Sequence, residues 1–151
     1  MEKYYLLVDI DGTLSDASKR AKAYLEGDKP DWESFYMACG EDAPIKPVID
    51  IIATLSEHYD VVLCTGRSEI CREITENWLR DNAAEIFYRK ILFRKPGDTR
   101  HDTEVKPEML EAYMREHSGN KPAAIFEDRD SMVAKWRELG YTCFQPAAGN
   151  F

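Results

Sequence analysis

The sequence contains no run approaching the ~20 consecutive apolar residues that a membrane-crossing helix requires. Its opening Met1-Glu2-Lys3-Tyr4 enters an apolar stretch without the charged-then-hydrophobic layout of a secretory signal. A soluble, cytoplasmic chain with no membrane partner is expected. Cysteines are few: Cys39, Cys64, Cys71 and Cys143 form no CxxC pair and have no histidine at zinc-ligand spacing. That pattern argues against a structural zinc site and leaves reduced structural thiols as the expectation. Positive charge is in deficit, with 20 basic against 28 acidic residues and a net charge of −8. Such a surface repels polyanions, so any nucleic-acid contact has to be local.

What is present suits one compact domain with its own core: 151 residues, 44% of them hydrophobic. Short apolar runs at Tyr4–Val8, Val61–Cys64, Ile86–Tyr88, Ile91–Phe93, Ala123–Phe126 and Tyr141–Phe144 read as strands. Helical patterns lie between them at Val48–Glu57, Ser68–Asn82, Lys106–Glu116 with Pro107 in its first turn, and Ser131–Leu139 closed by Gly140. Alternating strands and helices imply an α/β, Rossmann-like parallel sheet covered on both faces, with ligands beyond the carboxyl ends of the strands. Residues 15–47 interrupt the alternation with two short helical patterns, around Ala17–Leu25 and Trp32–Cys39, and read as a small helical cap inserted within the domain.

Three strand ends carry chemistry. Asp9 and Asp11 stand two apart, so an extended backbone puts both side chains on one face, and Gly12 allows the turn that follows. Such a pair can serve as nucleophile and acid/base; an isolated DxDG is also an ordinary turn with solvated acids. Thr65-Gly66-Arg67 closes the second strand, where the Thr65 hydroxyl and Gly66 amide can hold phosphate oxygens, or Thr65 or Ser68 can simply cap a helix. The third cluster, Glu127-Asp128-Arg129-Asp130, suits an oxygen-rich magnesium site or a helix N-cap. Lys106 stands between the last two, where an ammonium would neutralise phosphate and separate carboxylates.

With DIDGTL at Asp9–Leu14, CTGR at Cys64–Arg67, Lys106 and FEDRD at Phe126–Asp130 in that order, the sequence resembles the haloacid dehalogenase (HAD)-like phosphatase superfamily. The resemblance implies a required Mg²⁺ and an aspartyl-phosphate intermediate. Asp9 would be the nucleophile, Asp11 the general acid and then base, and Thr65 and Lys106 the phosphoryl ligands. The metal would lie among the Asp9 carboxylate, the Asp11 carbonyl and Asp128, with Glu127 within reach through water. A closer likeness, through Gly97–Asp102, Val105-Lys106, Glu127–Arg129 and Trp136–Gly140, is to the phosphatase domain of phage-type polynucleotide kinase/3′-phosphatases. It adds Arg20, Arg67 and Asp102 as expected substrate-site residues beside Gly66. In that family the pair at Glu127-Asp128 is usually Asp-Asp. No Gly-x-x-x-x-Gly-Lys-Ser/Thr loop occurs in the chain, so no ATP-dependent phosphorylation is expected of it.

The implied substrate is a phosphorylated nucleotide or nucleic-acid end, most simply a 3′-phosphate. A small-molecule nucleotidase and a non-catalytic phosphate-binding module remain as alternatives. Arg89, Lys90, Arg94, Lys95, Arg100 and His101 form a basic stretch able to follow a phosphate backbone, or one that balances an acidic protein. Trp32, Phe35 and Tyr36 could stack on a base, although their helical spacing also suits the core of the cap. Trp136 reads as core.

Overall fold

A computed structural model describes residues 4–151, so the expectation for Met1-Glu2-Lys3 lies outside the described residues. The first strand, β1 (Tyr5–Val8), is apolar at every position because both of its faces are covered. It pairs in parallel with β4 (Asp60–Ser68) on one side and with β6 (Ala124–Phe126) on the other. Two edge strands, β5 (Tyr88–Arg94) and β7 (Cys143–Phe144), complete a five-stranded sheet ordered β5-β4-β1-β6-β7. All its pairings are parallel.

The period-2 alternation of side chains divides the core into two layers. Leu6, Val8, Val61, Leu63, Ile91 and Phe93 face α3 (Lys46–Leu55) and α4 (Arg72–Asn82), which contribute Ile49, Ile52, Trp78 and Leu79. Tyr5, Leu7, Val62, Cys64 and Leu92 face α5 (Asp102–Glu116) and α6 (Asp130–Glu138), which contribute Leu110, Tyr113, Met132, Val133 and Trp136. Each fully buried Leu or Ile contributes about 1.5–3 kcal/mol relative to exposure. All four cysteines are free and buried. Among the described residues no helix is long and apolar enough to cross a membrane.

Four expectations are corrected. Ile86–Tyr88 and Ile91–Phe93 are not two strands: a single strand, β5, starts at Tyr88. β4 does not end at Cys64 but runs through Thr65, Gly66 and Arg67 to Ser68, with a register irregularity between Cys64 and Ser68. The following helix accordingly begins at Arg72, after a 3₁₀ turn at Glu69–Cys71. Helix α5 starts one turn early, at Asp102, which leaves Pro107 inside it with no N–H to give the preceding turn.

The segment after β1 forms a two-stranded antiparallel ribbon, β2 (Ser15–Asp16) with β3 (Ala43–Pro44). It carries α1 (Ser18–Tyr24), α2 (Trp32–Met37) and a 3₁₀ turn at Cys39–Glu41. The main sheet changes winding direction at β1, which continues toward β4 while β6 continues toward β7. That switch point is where α/β sheets open a crevice.

Candidate active site

Asp9 follows β1, and its amide donates to the Phe126 carbonyl at 2.9 Å, so the residue remains in line with the sheet. Ile10 turns into the core, fully buried, while its carbonyl accepts the amides of Thr13, Leu14 and Ser15. This tight loop directs Asp9 and Asp11 to the same side. Both line a cleft of about 980 Å³ that extends between the sheet edge and the helical insertion. That volume lies at the upper end of the range for small-molecule sites, roughly 300–1,000 Å³.

The two acids meet opposite surroundings. Asp11 Oδ1 accepts Arg67 Nη2 at 2.6 Å and Nε at 2.9 Å, and Arg20 Nη2 at 2.5 Å. Both guanidinium groups also grip the buried Asp42, Arg20 through both carboxylate oxygens and Arg67 at 3.3 Å. Burial alone would raise the Asp11 carboxyl, but Arg67 and Arg20 outweigh it and hold it at about 2. For Asp42 burial wins, and its carboxyl is raised despite Arg20.

Asp9 accepts Lys106 Nζ at 2.8 Å on Oδ1 and the Thr13 hydroxyl at 3.1 Å on Oδ2. Lys106 also donates to Glu127 Oε2 at 2.7 Å. It reaches the site because α5 places Asp102 and Lys106 one turn apart on one face. Burial disfavours its ammonium, yet Asp9 and Glu127 raise its pKa well above the ordinary value. Burial, with the Asp9 charge second, pushes Asp128 up to about 7 and raises Glu127 as well.

Asp9, Glu127 and Asp128 offer oxygens within 4.8 Å of one another. Three carboxylates against one ammonium leave two negative charges when all are ionised, the complement of one divalent cation. The all-oxygen donor set suits a hard cation that retains waters. Space is kept for this group by Gly12, at φ +82°, because a Cβ there would overlap the Asp128 carboxylate. The residues present therefore fit the implied metal.

The other expected site residues fall into two groups. Gly66 and Asp102 line the cleft, and a Cβ on Gly66 would come within 2.5 Å of Asp102 Oδ1. Asp102 is held by Arg94 and, at 3.1 Å, by Arg129, and these cations with Lys106 outweigh burial to lower its carboxyl. Arg20, Arg67 and Thr65 lie behind the cleft surface. Arg67 and Thr65 are fully buried, and Thr65 Oγ1 accepts the Arg67 amide at 3.1 Å.

The basic stretch is divided by the strand that carries it. Arg89 and Lys90 sit at the amino end of β5, paired with Asp60 at 3.2 Å and Glu116 at 3.6 Å. Arg94, Lys95, Arg100 and His101 line the cleft at the carboxyl end. Arg94 is buried there, donating to the carbonyls of Gly66, Asp98 and Arg100.

Sequence reasoning missed Thr13, Asp42 and Arg129. Thr13 could have been found inside the DIDGTL motif. Arg129 adjoins the acidic pair, and Asp42 carries no local signal at all.

A sequence model described as the polynucleotide kinase PNKP phosphatase domain matches residues 3–151. A protein of Autographa californica nuclear polyhedrosis virus, named as a bifunctional polynucleotide kinase/RNA ligase, is 27% identical over 136 residues, covering 89% of this chain and 18% of the viral protein. The structure of a Pnkp1/Rnl/Hen1 complex contains a chain that superposes with a TM-score of 0.80 at 28% identity, covering 99% of this chain and 47% of that one. A haloacid dehalogenase-like hydrolase from Streptococcus pneumoniae shares the fold, with a TM-score of 0.63 at 17% identity over 95% of this chain and 84% of its own. The chain thus spans less than half the length of the first two relatives. With the match running from residue 3 to residue 151, it belongs to the HAD-like family of PNKP phosphatase domains.

Proposed function

We propose that this chain is a Mg²⁺-dependent phosphomonoesterase that removes the 3′-phosphate from a polynucleotide or nucleotide end through an aspartyl-phosphate intermediate. The observation that carries this reading is Asp9, fixed by Lys106 at 2.8 Å beside two further carboxylates that one ammonium cannot neutralise. Residues 1–151 act as one phosphatase domain, and residues 15–47 serve as its cap.

In the first half-reaction an Asp9 oxygen attacks phosphorus and the bond to the leaving oxygen breaks, leaving the phosphoryl group on Asp9. The departing oxygen takes its proton from Asp11. Arg20 and Arg67 converge on Oδ1, which leaves Oδ2 to carry that proton. Since Asp11 is held ionised, the proton enters with the substrate: a phosphomonoester has its second ionisation near pH ~6 and binds partly as the monoanion. In the second half-reaction Asp11 accepts a proton from water, whose oxygen attacks phosphorus as the bond to Asp9 breaks, and that proton then passes to the departing phosphate or to solvent, which returns Asp11 to its ionised form. Bound among Asp9, Asp128, the Asp11 carbonyl and Glu127, Mg²⁺ would supply charge stabilisation to the phosphoryl oxygens. Lys106 aligns Asp9 and faces the same oxygens. Arg20, Arg67 and Asp42 fix the orientation of Asp11 and do not touch substrate. Thr65, expected as a phosphoryl ligand, instead steadies the irregular end of β4 that presents Gly66, since its hydroxyl accepts the Arg67 amide and it does not line the cleft.

A small-molecule nucleotidase of the same mechanism is favoured by one observation, the net charge of −8. The deciding experiment compares Mg²⁺-dependent phosphate release from 3′-phosphorylated oligonucleotides, 3′-mononucleotides and 5′-mononucleotides at matched concentration. Fastest turnover of the 3′-phosphorylated oligonucleotide is expected. Preference for either mononucleotide would transfer the chain to the nucleotidase reading.

A further inference from the structure

The wall of the cleft formed by α2 has more aromatic surface than its own packing uses. Asp31 caps this helix, accepting the Ser34 amide at 3.1 Å and the Ser34 hydroxyl at 2.6 Å, so the chain direction at Trp32 is fixed. Trp32, Phe35 and Tyr36 then fall on one face at helical spacing. Their burial differs sharply. Phe35 is buried, and the Arg20 guanidinium that grips Asp11 lies over its ring at 4.2 Å. Tyr36 is half-buried and lines the same cleft as Asp11, Arg94 and Asp102.

Trp32 is 49% exposed although two rings prop it. Phe35 meets it edge-on at 5.6 Å, and Tyr36 lies tilted at 6.0 Å. The chain's other two tryptophans, Trp78 and Trp136, are no more than 2% exposed. Phe35 already anchors the helix, so the open half of Trp32 contributes little to folding. It borders the same cleft as Asp9, Asp11 and Lys106. An indole rigidly held but half open, beside a phosphate-processing centre, matches a ligand that carries a flat π-face on the same molecule as its phosphate. A small acyclic phosphate would leave this face bare, whereas a nucleotide carries a base able to cover it.

We propose that Trp32 is the platform on which the terminal nucleobase stacks while its phosphate lies at Asp9, so that the site reads a nucleoside unit of any base. This rests on the phosphatase reading above and assigns its specificity to one residue. Because every base has a π-face, stacking gives affinity with little sequence preference.

The test compares two 3′-phosphorylated oligonucleotides that differ only at the last residue, one with a normal nucleotide and the other abasic. The kcat/KM ratio is measured for the wild type, Trp32→Ala and Trp32→Phe. The wild type should favour the base-bearing end by about tenfold, mostly through KM, as expected for loss of one base–aromatic stack. The ratio should fall to within about twofold of unity in Trp32→Ala and recover most of its value in Trp32→Phe, whose smaller ring preserves the packing against Phe35. Purine and pyrimidine ends should differ far less than base-bearing and abasic ends do.

A wild-type ratio near unity, or one undiminished in Trp32→Ala, would overturn the platform while leaving the 3′-phosphatase reading intact. Absence of release from both oligonucleotides, with an aryl phosphate still hydrolysed, would instead overturn the reading and the platform together. Should Trp32→Ala fail to fold, the wild-type ratio and Trp32→Phe still decide.

Discussion

The two halves of the site solve opposite electrostatic problems. Around Asp11, two guanidinium groups balance Asp11 and Asp42, nearly every donor is satisfied, and the carboxyl is held at about 2. Around Asp9, Lys106 alone faces three carboxylates, and Asp128 is pushed up to about 7. The first half is complete within the chain and can set geometry. The second is short of positive charge, the deficit that the proposed Mg²⁺ would fill. A nucleophile beside a charge-deficient pocket and an acid/base group in a saturated one are consistent with the division of labour between Asp9 and Asp11.

Breaking the deficient half at the nucleophile should have the largest effect. Asp9→Asn should lower phosphate release by ~10⁴-fold or more, on the scale of removing a covalent nucleophile, with a retained melting transition confirming the fold. Next comes the saturated half. Arg67→Lys keeps one charge but loses the fork that meets Asp11 twice, so kcat should fall by ~10²-fold, the scale of a misaligned acid/base group. Arg67→Ala leaves Arg20 alone against Asp11 and Asp42, with one buried negative charge uncompensated, and about 3–5 kcal/mol of stability should go with it, read by denaturant unfolding.

Cation linkage separates the halves more finely. A carboxyl raised in the folded state contributes stability that is present below its unfolded pKa and is lost as pH rises through the folded value. Metal-free protein should therefore lose part of its stability between pH ~4 and about 7 through Asp128. Asp11, lowered to about 2, has the opposite sign: its contribution is present above pH ~4 and disappears as pH falls toward 2. Saturating Mg²⁺, at ~100 times its Kd, should stabilise by about 2.7 kcal/mol. That shift should be greatest above pH 7 and nearly absent in Asp128→Asn. A Mg²⁺ shift in melting temperature that is the same at pH 5 and pH 8 would sink this assignment.

The smallest effect expected is at the rim. Lys95→Ser should reduce the salt slope for oligonucleotide processing by about one, while Arg89→Ser, at the far end of β5, should leave it unchanged. Equal slopes for the two variants would remove the cleft wall from polyanion contact.

Asp9 and the acidic pair were legible because each is placed by a local pattern: an apolar strand stops at DxD, and another stops at Glu127-Asp128. Lys106 was legible from its order in the chain, between the Thr65 and Glu127 strand ends, whereas its helical spacing from Asp102 emerges only because α5 begins at Asp102. In the saturated half Asp11 was legible from the same DxD pattern, Arg20 and Arg67 only as names the resemblance supplied, and Asp42 not at all. Arg20, Asp42 and Arg67 come from α1, the turn before β3, and the irregular end of β4, so their convergence is a tertiary fact. The guanidinium of Arg67 points inward because β4 continues past Cys64, and no single-strand period encodes that irregularity. Pro107 misled about α5 for a physical reason: a proline is best tolerated in a first turn, but here burial of Val105, Lys106 and Leu110 outweighs the lost hydrogen bond.

The central claim, that Asp9 becomes covalently phosphorylated and Asp11 discharges it, can be tested by acid-quenching Asp11→Asn during turnover with Mg²⁺ and a 3′-phosphorylated oligonucleotide. Intact mass followed by peptide mapping then locates any adduct. Accumulation of one phosphoryl group on Asp9, absent from Asp9→Asn and from metal-free samples, is the predicted result. Steady phosphate release with no adduct at any quench time, or an adduct on another residue, would contradict it.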